Sequence, residues 1–223
     1  MKNSLLFIDI ETIAPQDIKP NPDMVEPPGN YKNPDTVRAY QESKADEAYR
    51  KLALNPLWAQ VIVISAAYGD GDIHTFKDDN EEHLLKKFDM YLYNLQQNPS
   101  STKDLIKQSP DVWTLVGYNI REFDAPILFL RAKKYGCKNI ERLLRDLSRY
   151  DRRIEDVMQM ALPTMGKQYL KMDELCKFFG IEGKGDIDGS NVYDYFIGGK
   201  LEEIAQYCSE DVQRTRELYK ILI

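Results

Sequence analysis

"LLFIDIETIAP" occupies residues 5–15, and the reading of the whole chain turns on it. Four apolar residues run straight into Asp9, and Glu11 follows two positions later. The run is short and bounded by Pro15, which suits a buried strand over residues 5–10. Side chains two apart in a strand point the same way, so Asp9 and Glu11 share one face and Ile8 and Ile10 the other. Two carboxylates side by side repel, and charge against an apolar wall is costly. A divalent cation between them removes both problems, because hard oxygen ligands suit Mg2+ or Mn2+. A strand that ends at Asp9, with both acids in water, removes them equally well. The stretch alone leaves both readings open.

The 223 residues suffice for a sizeable core in a single domain. A formal net charge of −6 argues against a protein that coats nucleic acid nonspecifically, yet permits a cleft that holds one strand end through metal ions. The charge is uneven. Between residues 121 and 171, twelve Lys and Arg outnumber seven Asp and Glu, a local surplus of +5. That surplus is either a solvated helical face or a phosphate-tracking surface. Cys137, Cys176 and Cys208 are scattered and lack CxxC spacing, as expected of reduced thiols in a cytoplasmic protein. No apolar stretch reaches membrane-spanning length, and no signal peptide is expected. His74 and His83, the two histidines, are poor supply for a His-rich zinc site or a Ser-His-Asp triad.

Six prolines from Pro15 to Pro34 exclude regular helix and central strand there. Helix-forming composition follows over 36–54, so residues 14–56 read as an arm inserted within the domain. "QVIVISAAYGDGDIHTF" (60–76) places two apolar runs around Gly69-Asp70-Gly71, a hairpin signal. Leu84, Leu85, Phe88, Tyr91, Leu92 and Leu95 recur at helical spacing over 81–97. A strand is expected over 112–119 and a helix over 124–135, stopped by Gly136. Further helices are expected near 141–150, 169–179, 191–197 and 201–221. Strands followed by helices predict an α/β fold with a mixed sheet.

Two later stretches carry further acids. In "VGYNIREFDAPILFLRAKKYG" (116–136), Asp124 lies where the strand has ended and the helix begins. Its ordinary role is helix N-cap, with Pro126 in the first turn. Capping leaves Gly117, Tyr118, Asn119 and Phe123 unexplained. In "IAQYCSEDVQRTRELY" (204–219), Tyr207 and Asp211 are four apart and share a helix face. Ile204, Cys208 and Val212 form a neighbouring stripe suited to packing on the sheet. An amphipathic helix with an exposed Tyr and Asp accounts for them as well. Asp156, in "IEDVMQM", reads either as an acid that supports the site from behind its ligands or, more often for such a residue, as a solvated strand end, and stays outside the catalytic set.

Taken in order, the acids form D-x-E on the first strand, F-D at a strand-to-helix junction and Y-x-x-x-D on the last helix. This order resembles the DEDD superfamily of 3′–5′ exonucleases, which have a ribonuclease H-like fold. Asp9-Ile10-Glu11-Thr12 looks like the first motif and "NIREFD" (119–124) like the second. Tyr207 through Asp211 resembles the third motif of the tyrosine-bearing branch. The histidine branch has His five positions before the last Asp, where this chain has Gln206. "GYNIREFDAPIL" (117–128) and "YCSEDV" (207–212) look like the proofreading domain of family B DNA polymerases. The resemblance runs from residue 5 to about 219 and covers the arm least. Palm motifs of a polymerase are lacking. The implied protein is a stand-alone exonuclease domain over residues 1–223, with a mixed sheet of about five strands flanked by helices.

By position, the resemblance implies Asp9, Glu11, Asp124 and Asp211 as ligands of two divalent cations, Mg2+ or Mn2+. The reaction implied is two-metal hydrolysis of phosphodiester bonds from the 3′ end of single-stranded nucleic acid, DNA ahead of RNA. Tyr207 would orient the attacking water, since a phenol of ordinary pKa near 10 is a poor base at neutral pH. Thr12, Asn119 and Phe123 match positions that hold terminal nucleotides. Phe123 suits stacking on a base and equally suits core packing with Ile127 and Leu130. Lys184, in the glycine-rich turn 180–189, stands where some relatives place a phosphate-contacting lysine, and plain turn chemistry explains that segment too. An exoribonuclease acting on RNA or oligonucleotides with the same site is one alternative. An inactive nucleic-acid-binding module is another, although such modules usually lack one of the acids. A haloacid-dehalogenase-type phosphatase with Asp9 as nucleophile is a third. It needs an Asp where Glu11 stands and leaves Tyr207 and Asp211 unexplained.

Overall fold

The computed structural model describes residues 5–97, 113–145, 147, 152–163, 169–183 and 187–223. Its centre is β1 (Leu5–Ile13), which continues past both acids. The strand does not stop at residue 10 because its backbone stays paired to β2 (Gln60–Tyr68) as far as Ile13 opposite Gln60. β3 (His74–Lys77), β4 (Thr114–Gly117) and β5 (Ile154–Asp156) complete a sheet of order β3-β2-β1-β4-β5. β1–β2 and β2–β3 are antiparallel, while β1–β4 and β4–β5 are parallel. This is the mixed α/β sheet that the sequence implies. The fifth strand is only three residues long, too short for any periodicity to announce it. Tyr118 and Asn119, expected at the end of a strand, lie in the turn beyond β4.

The helices are α1 (Pro34–Arg50), α2 (Glu81–Gln97), α3 (Asp124–Tyr135), α4 (Lys138–Leu144), α5 (Val157–Ala161), α6 (Met172–Phe178), α7 (Val192–Ile197) and α8 (Leu201–Leu222). Alternation along β1 sends Leu6, Ile8 and Ile10 against Leu84, Leu85 and Phe88 of α2 and Ile127 and Leu128 of α3. Leu5 and Phe7 face the other way, onto Leu175 and Cys176 of α6 and Val212 and Leu218 of α8. A bulge follows Glu11. Glu11 pairs with Val63 and Thr12 with Val61, so Ile62 is extra. Ile62 and Val63 consequently share one cluster with Ile13, Val192, Ile204 and Cys208.

Gly136 ends α3 in the left-handed region at φ 69°, as expected. α4 begins at 138 and not near 141, because Asp89 of α2 accepts the Asn139 and Ile140 N–H groups at 2.8 and 2.9 Å and starts the helix there. The arm is tied to the sheet at both ends. Tyr49 Oη donates to the Pro15 carbonyl at 3.2 Å, and Thr12 Oγ1 donates to the Ala53 carbonyl at 2.7 Å. Farther on, the Arg131 guanidinium of α3 donates to the carbonyls of Leu57, at 3.2 Å, and Ala59. Arg131 is itself paired with buried Glu81, 3.3 Å away. The polar stretch 98–111 lies outside the described residues. Among those described, no helix is long and apolar enough to cross a membrane.

Candidate active site

Asp9 and Glu11 share the face of β1 that looks toward α8. One carboxylate oxygen from each and the Cys208 sulfur all lie within 4.8 Å of one another. Asp9 keeps partial solvent access, but its Oδ2 is buried and has no hydrogen-bond partner. Burial, and then the charges of Glu11, Asp124 and Asp211, hold the Asp9 carboxyl well above the usual carboxylate range. The other three acids therefore all lie within the field of Asp9. Cys208 is fully buried and donates its thiol to the Asp9 carbonyl at 3.4 Å, locking α8 onto β1 at this level.

Asp124 reaches the cluster because β1 and β4 separate. Their pairing ends at Phe7 opposite Val116. Farther along β1, the Ile10 N–H donates to Asp124 Oδ1 at 3.0 Å. Asp124 is the first residue of α3 and not its cap, a position held by Phe123 with no capping bond from its side chain. Burial pushes the Asp124 carboxyl up to about 7, against the hydrogen bond from Ile10, which favours the charged form. Between β4 and α3 the backbone is tightly set. A Cβ on Gly117 would stand 2.7 Å from Ile120 Cβ and 3.0 Å from the Ile8 carbonyl, so only glycine fits. Asn119 adopts φ 59°, a conformation that Asn tolerates.

For Asp156 the structure favours the supporting role over the solvated strand end. It is not a solvated strand end but 2 % exposed. Its carboxylate accepts N–H groups from Asn119 at 3.0 Å and Arg121 at 3.2 Å. It also accepts from Met158 at 3.1 Å and Gln159 at 3.4 Å, capping α5. One side chain thus fixes both the loop that leads into Asp124 and the helix after β5. The signal was present as an Asp immediately before the helical residues 157–161.

On α8, Tyr207 and Asp211 are buried, so they lie on the packed face of the amphipathic helix and not on its exposed one. Ile204, Cys208 and Val212 pack inward as their spacing implies. Burial, followed by the charges of Glu11, Asp211 and Asp9, raises the Tyr207 phenol above its ordinary pKa, so it remains protonated. Arg214 is the residue that motif reading missed. Its Nη1 donates to Asp211 Oδ1 at 2.9 Å, and its Nη2 donates to the Gly183 carbonyl and to Glu210 Oε2, both at 3.0 Å. Arg three positions after Asp on a helix is the spacing that could have found it.

The expected nucleotide-holding residues are placed unequally. Thr12 is buried, with its hydroxyl given to Ala53 of the arm. Phe123 is half-buried against the core between α2 and α3, near the Asp124 end. Lys184 lies outside the described residues. Much of the local basic surplus is internally engaged. Lys133, Lys138 and Arg145 converge on Glu141 at 2.7, 3.2 and 3.4 Å, and Arg121 donates to the Ile154 carbonyl.

Residues 59–221 match the model of a family described as predicted 3′–5′ exonucleases related to the exonuclease domain of PolB. The chain belongs to this family. The matched span holds Asp124, Tyr207 and Asp211, while Asp9 and Glu11 precede it. An uncharacterised protein of Methanocaldococcus jannaschii is 28 % identical over 183 residues, covering 76 % of this chain and 89 % of the relative. The family B DNA polymerase of the hyperthermophilic archaeon Pyrobaculum calidifontis superimposes with a TM-score of 0.61 at 19 % identity. That match covers 100 % of this chain and 25 % of the polymerase, so the chain spans a quarter of the polymerase's length. The likeness carries the fold, a ribonuclease H-like sheet with helices on both faces, through β1 and the arm as well.

Proposed function

We propose that this chain is a metal-dependent 3′–5′ exonuclease of the tyrosine-bearing DEDD type, acting on single-stranded nucleic acid and on DNA in first place. Asp9, Glu11, Asp124 and Asp211 are the proposed ligands of two Mg2+ or Mn2+ ions. The observation that carries this reading is the buried, unpartnered Oδ2 of Asp9, set in the field of three other carboxylates. Such an oxygen is stable only when protonated or bound to a cation. The donor set suits a hard ion, because the remaining candidate ligand, Cys208, is kept protonated by burial and spends its proton on the Asp9 carbonyl.

When bound, such ions supply hydroxide near neutral pH and neutralise charge on the leaving oxygen. The protein does the rest. β1 holds Asp9 and Glu11 at fixed spacing, and the Ile10 N–H orients Asp124. Arg214 orients Asp211 and joins it to the Gly183 carbonyl, one residue before Lys184, which is assigned to phosphate contact. Tyr207 positions the attacking water as a neutral hydroxyl and does not take its proton. Phe123 offers a ring to the terminal base, and Thr12 and Asn119 are assigned with it to the terminal nucleotides.

The test is a 5′-labelled single strand incubated with the protein and Mg2+ or Mn2+. A ladder shortening from the 3′ end is expected, and it should vanish with chelator or with Asp9→Ala. Undiminished cleavage by the Asp9→Ala protein would remove the assignment. DNA and RNA strands run in parallel decide between the two substrates, and faster loss of RNA transfers the same site to RNA.

A further inference from the structure

The face of β1 that carries the two acids is closed at its far end by contacts that the proposed chemistry does not use. Leu5, Phe7, Asp9, Glu11 and Ile13 alternate onto that face. Leu5 and Phe7 lie under α6 and α8. Ile13 is the next side chain after Glu11, roughly 7 Å along the strand. It is fully buried, in the cluster of Val192 of α7 with Ile204 and Tyr207 of α8. The arm arrives at the same level. Thr12 Oγ1 donates to the Ala53 carbonyl at 2.7 Å, and Tyr49 Oη donates to the Pro15 carbonyl at 3.2 Å.

The arm and α7 then join directly. The ring of Tyr49, at the end of α1, meets that of Tyr193 edge-on with centroids 5.8 Å apart. The Arg50 guanidinium lies 4.9 Å over the Tyr193 ring and pairs with Asp194 at 2.8 Å. Asp46, one turn earlier on α1, accepts from Arg50 Nε at 2.8 Å. We propose that this clasp makes the site a blind groove that admits only a strand terminus, with Arg50, Tyr193 and Asp194 setting the preference for ends over internal bonds. This rests on the exonuclease reading and assigns the residues that enforce it.

The surrounding elements support a groove with one entrance. α8 crosses β1, β2 and β3, α6 packs behind the acids, and α7 with the arm covers the far end. The Ile10 N–H bond to Asp124 sets the 119–123 loop along the remaining side, where Asn119, Arg121, Glu122 and Phe123 keep solvent contact. A strand entering there and lying over Asp9 and Glu11 meets the cover of Ile13 and stops. Charge acts in the same sense. Asp46 and Asp194 flank Arg50, and Asp17 acts on the Tyr49 phenol beside it. Carboxylates at the blocked end repel phosphate. A chain that ran on would bring its next phosphate there, whereas a 3′ terminus brings a neutral hydroxyl.

The test opens the clasp and offers a substrate without ends. An exposed ion pair and a cation–π contact together bias an equilibrium by about a factor of ten, so Arg50→Ala/Asp194→Ala should raise the open population of the arm about tenfold. Hydrogen exchange of the α1 amides, read by mass spectrometry, should quicken by about that factor. The native chain with Mg2+ should shorten a linear single strand to mononucleotides and leave a circular single strand intact. The double variant should nick the circle about tenfold faster than native, release short oligonucleotides from the linear strand, and keep its kcat there within about twofold. Arg50 and Asp194 side chains are 33 and 53 % exposed, so the core is untouched, and the melting temperature certifies folding. Arg50→Lys, which keeps the charge, should stay closer to native. Asp9→Ala in the double variant should abolish nicking, which ties it to the same acids. A native chain that cuts the circle as readily as the linear strand would overturn the proposal. So would α1 exchange unchanged in the double variant, or quickened exchange with the circle still intact. The two readings fail separately. A native chain that never shortens the linear strand removes the exonuclease, while shortening by native with the circle intact after the clasp is opened removes the blind groove alone.

Discussion

Asp124→Asn should stabilise the metal-free protein at alkaline pH while abolishing the proposed cleavage. The substitution keeps the shape of the side chain and an oxygen able to accept the Ile10 N–H, now 3.0 Å from Oδ1. It removes a buried negative charge. Burial pushes that carboxyl from an ordinary 3.8 up to about 7. A folded-state pKa above the unfolded one means that the folded chain holds the proton more tightly. Asp124 therefore costs almost nothing below about pH 4, destabilises increasingly from about pH 4 to 7, and costs a constant amount above that. At about 1.4 kcal/mol per pH unit, the ceiling is about 4 kcal/mol. Asp9 and the other acids share the strain, which brings the expected gain to about 2 kcal/mol. For a chain of this size that is a rise of about 4–8 °C in Tm. The assay is thermal unfolding followed by circular dichroism in chelator, at pH 4.5 and pH 8.5. The Asn protein should melt higher at pH 8.5, with the gap shrinking to less than about a third at pH 4.5. Added Mg2+ should stabilise the native chain more than the variant and narrow the gap at pH 8.5. An equal gap at both pH values, or a lower Tm for the variant at pH 8.5, would refute the reasoning.

Two other substitutions test the supports of the site. Asp156→Ala strands four N–H groups, those of Asn119, Arg121, Met158 and Gln159, and should cost about 3–5 kcal/mol in urea unfolding. Asp156→Asn, which keeps one accepting oxygen, should cost clearly less. Arg214→Met frees Asp211 from its 2.9 Å partner and cuts the tie to Gly183. The half-saturating Mg2+ concentration should fall, because no cation competes for the carboxylate. kcat should fall about tenfold or more, because nothing orients it. Arg214→Lys should restore part of kcat.

Long patterns were legible and short or shared ones were not. α2 follows its apolar spacing from end to end, and Gly136 stops α3 where its left-handed turn is needed. The hairpin of β2 and β3 was equally plain from the glycines between them. β5 escaped because three residues carry no period, and its position depends on pairing with β4. The start of α4 escaped because Asp89, fifty residues earlier, supplies the acceptor. Asp156 stayed undecided between support and solvent for a related reason. A single acid before a short helix looks like any solvated cap until the distant loop it holds, 118–121, is in place.

The order D-x-E, F-D, Y-x-x-x-D was visible in the sequence, and with it the fold, the family and the candidate acids, because period and residue type are local properties. What the chain alone could not express is which of those acids lose their water. Asp9 and Glu11 were equally consistent with a strand end in solvent. They become a charged cluster because β1 continues as the central strand, because α8 covers one face through Cys208, and because the divergence of β4 lets Asp124 reach the Ile10 N–H. Burial and hydrogen-bond partners are both consequences of segments far apart in sequence meeting in space. Desolvation depends on what surrounds a group from every side, and only the tertiary structure supplies that.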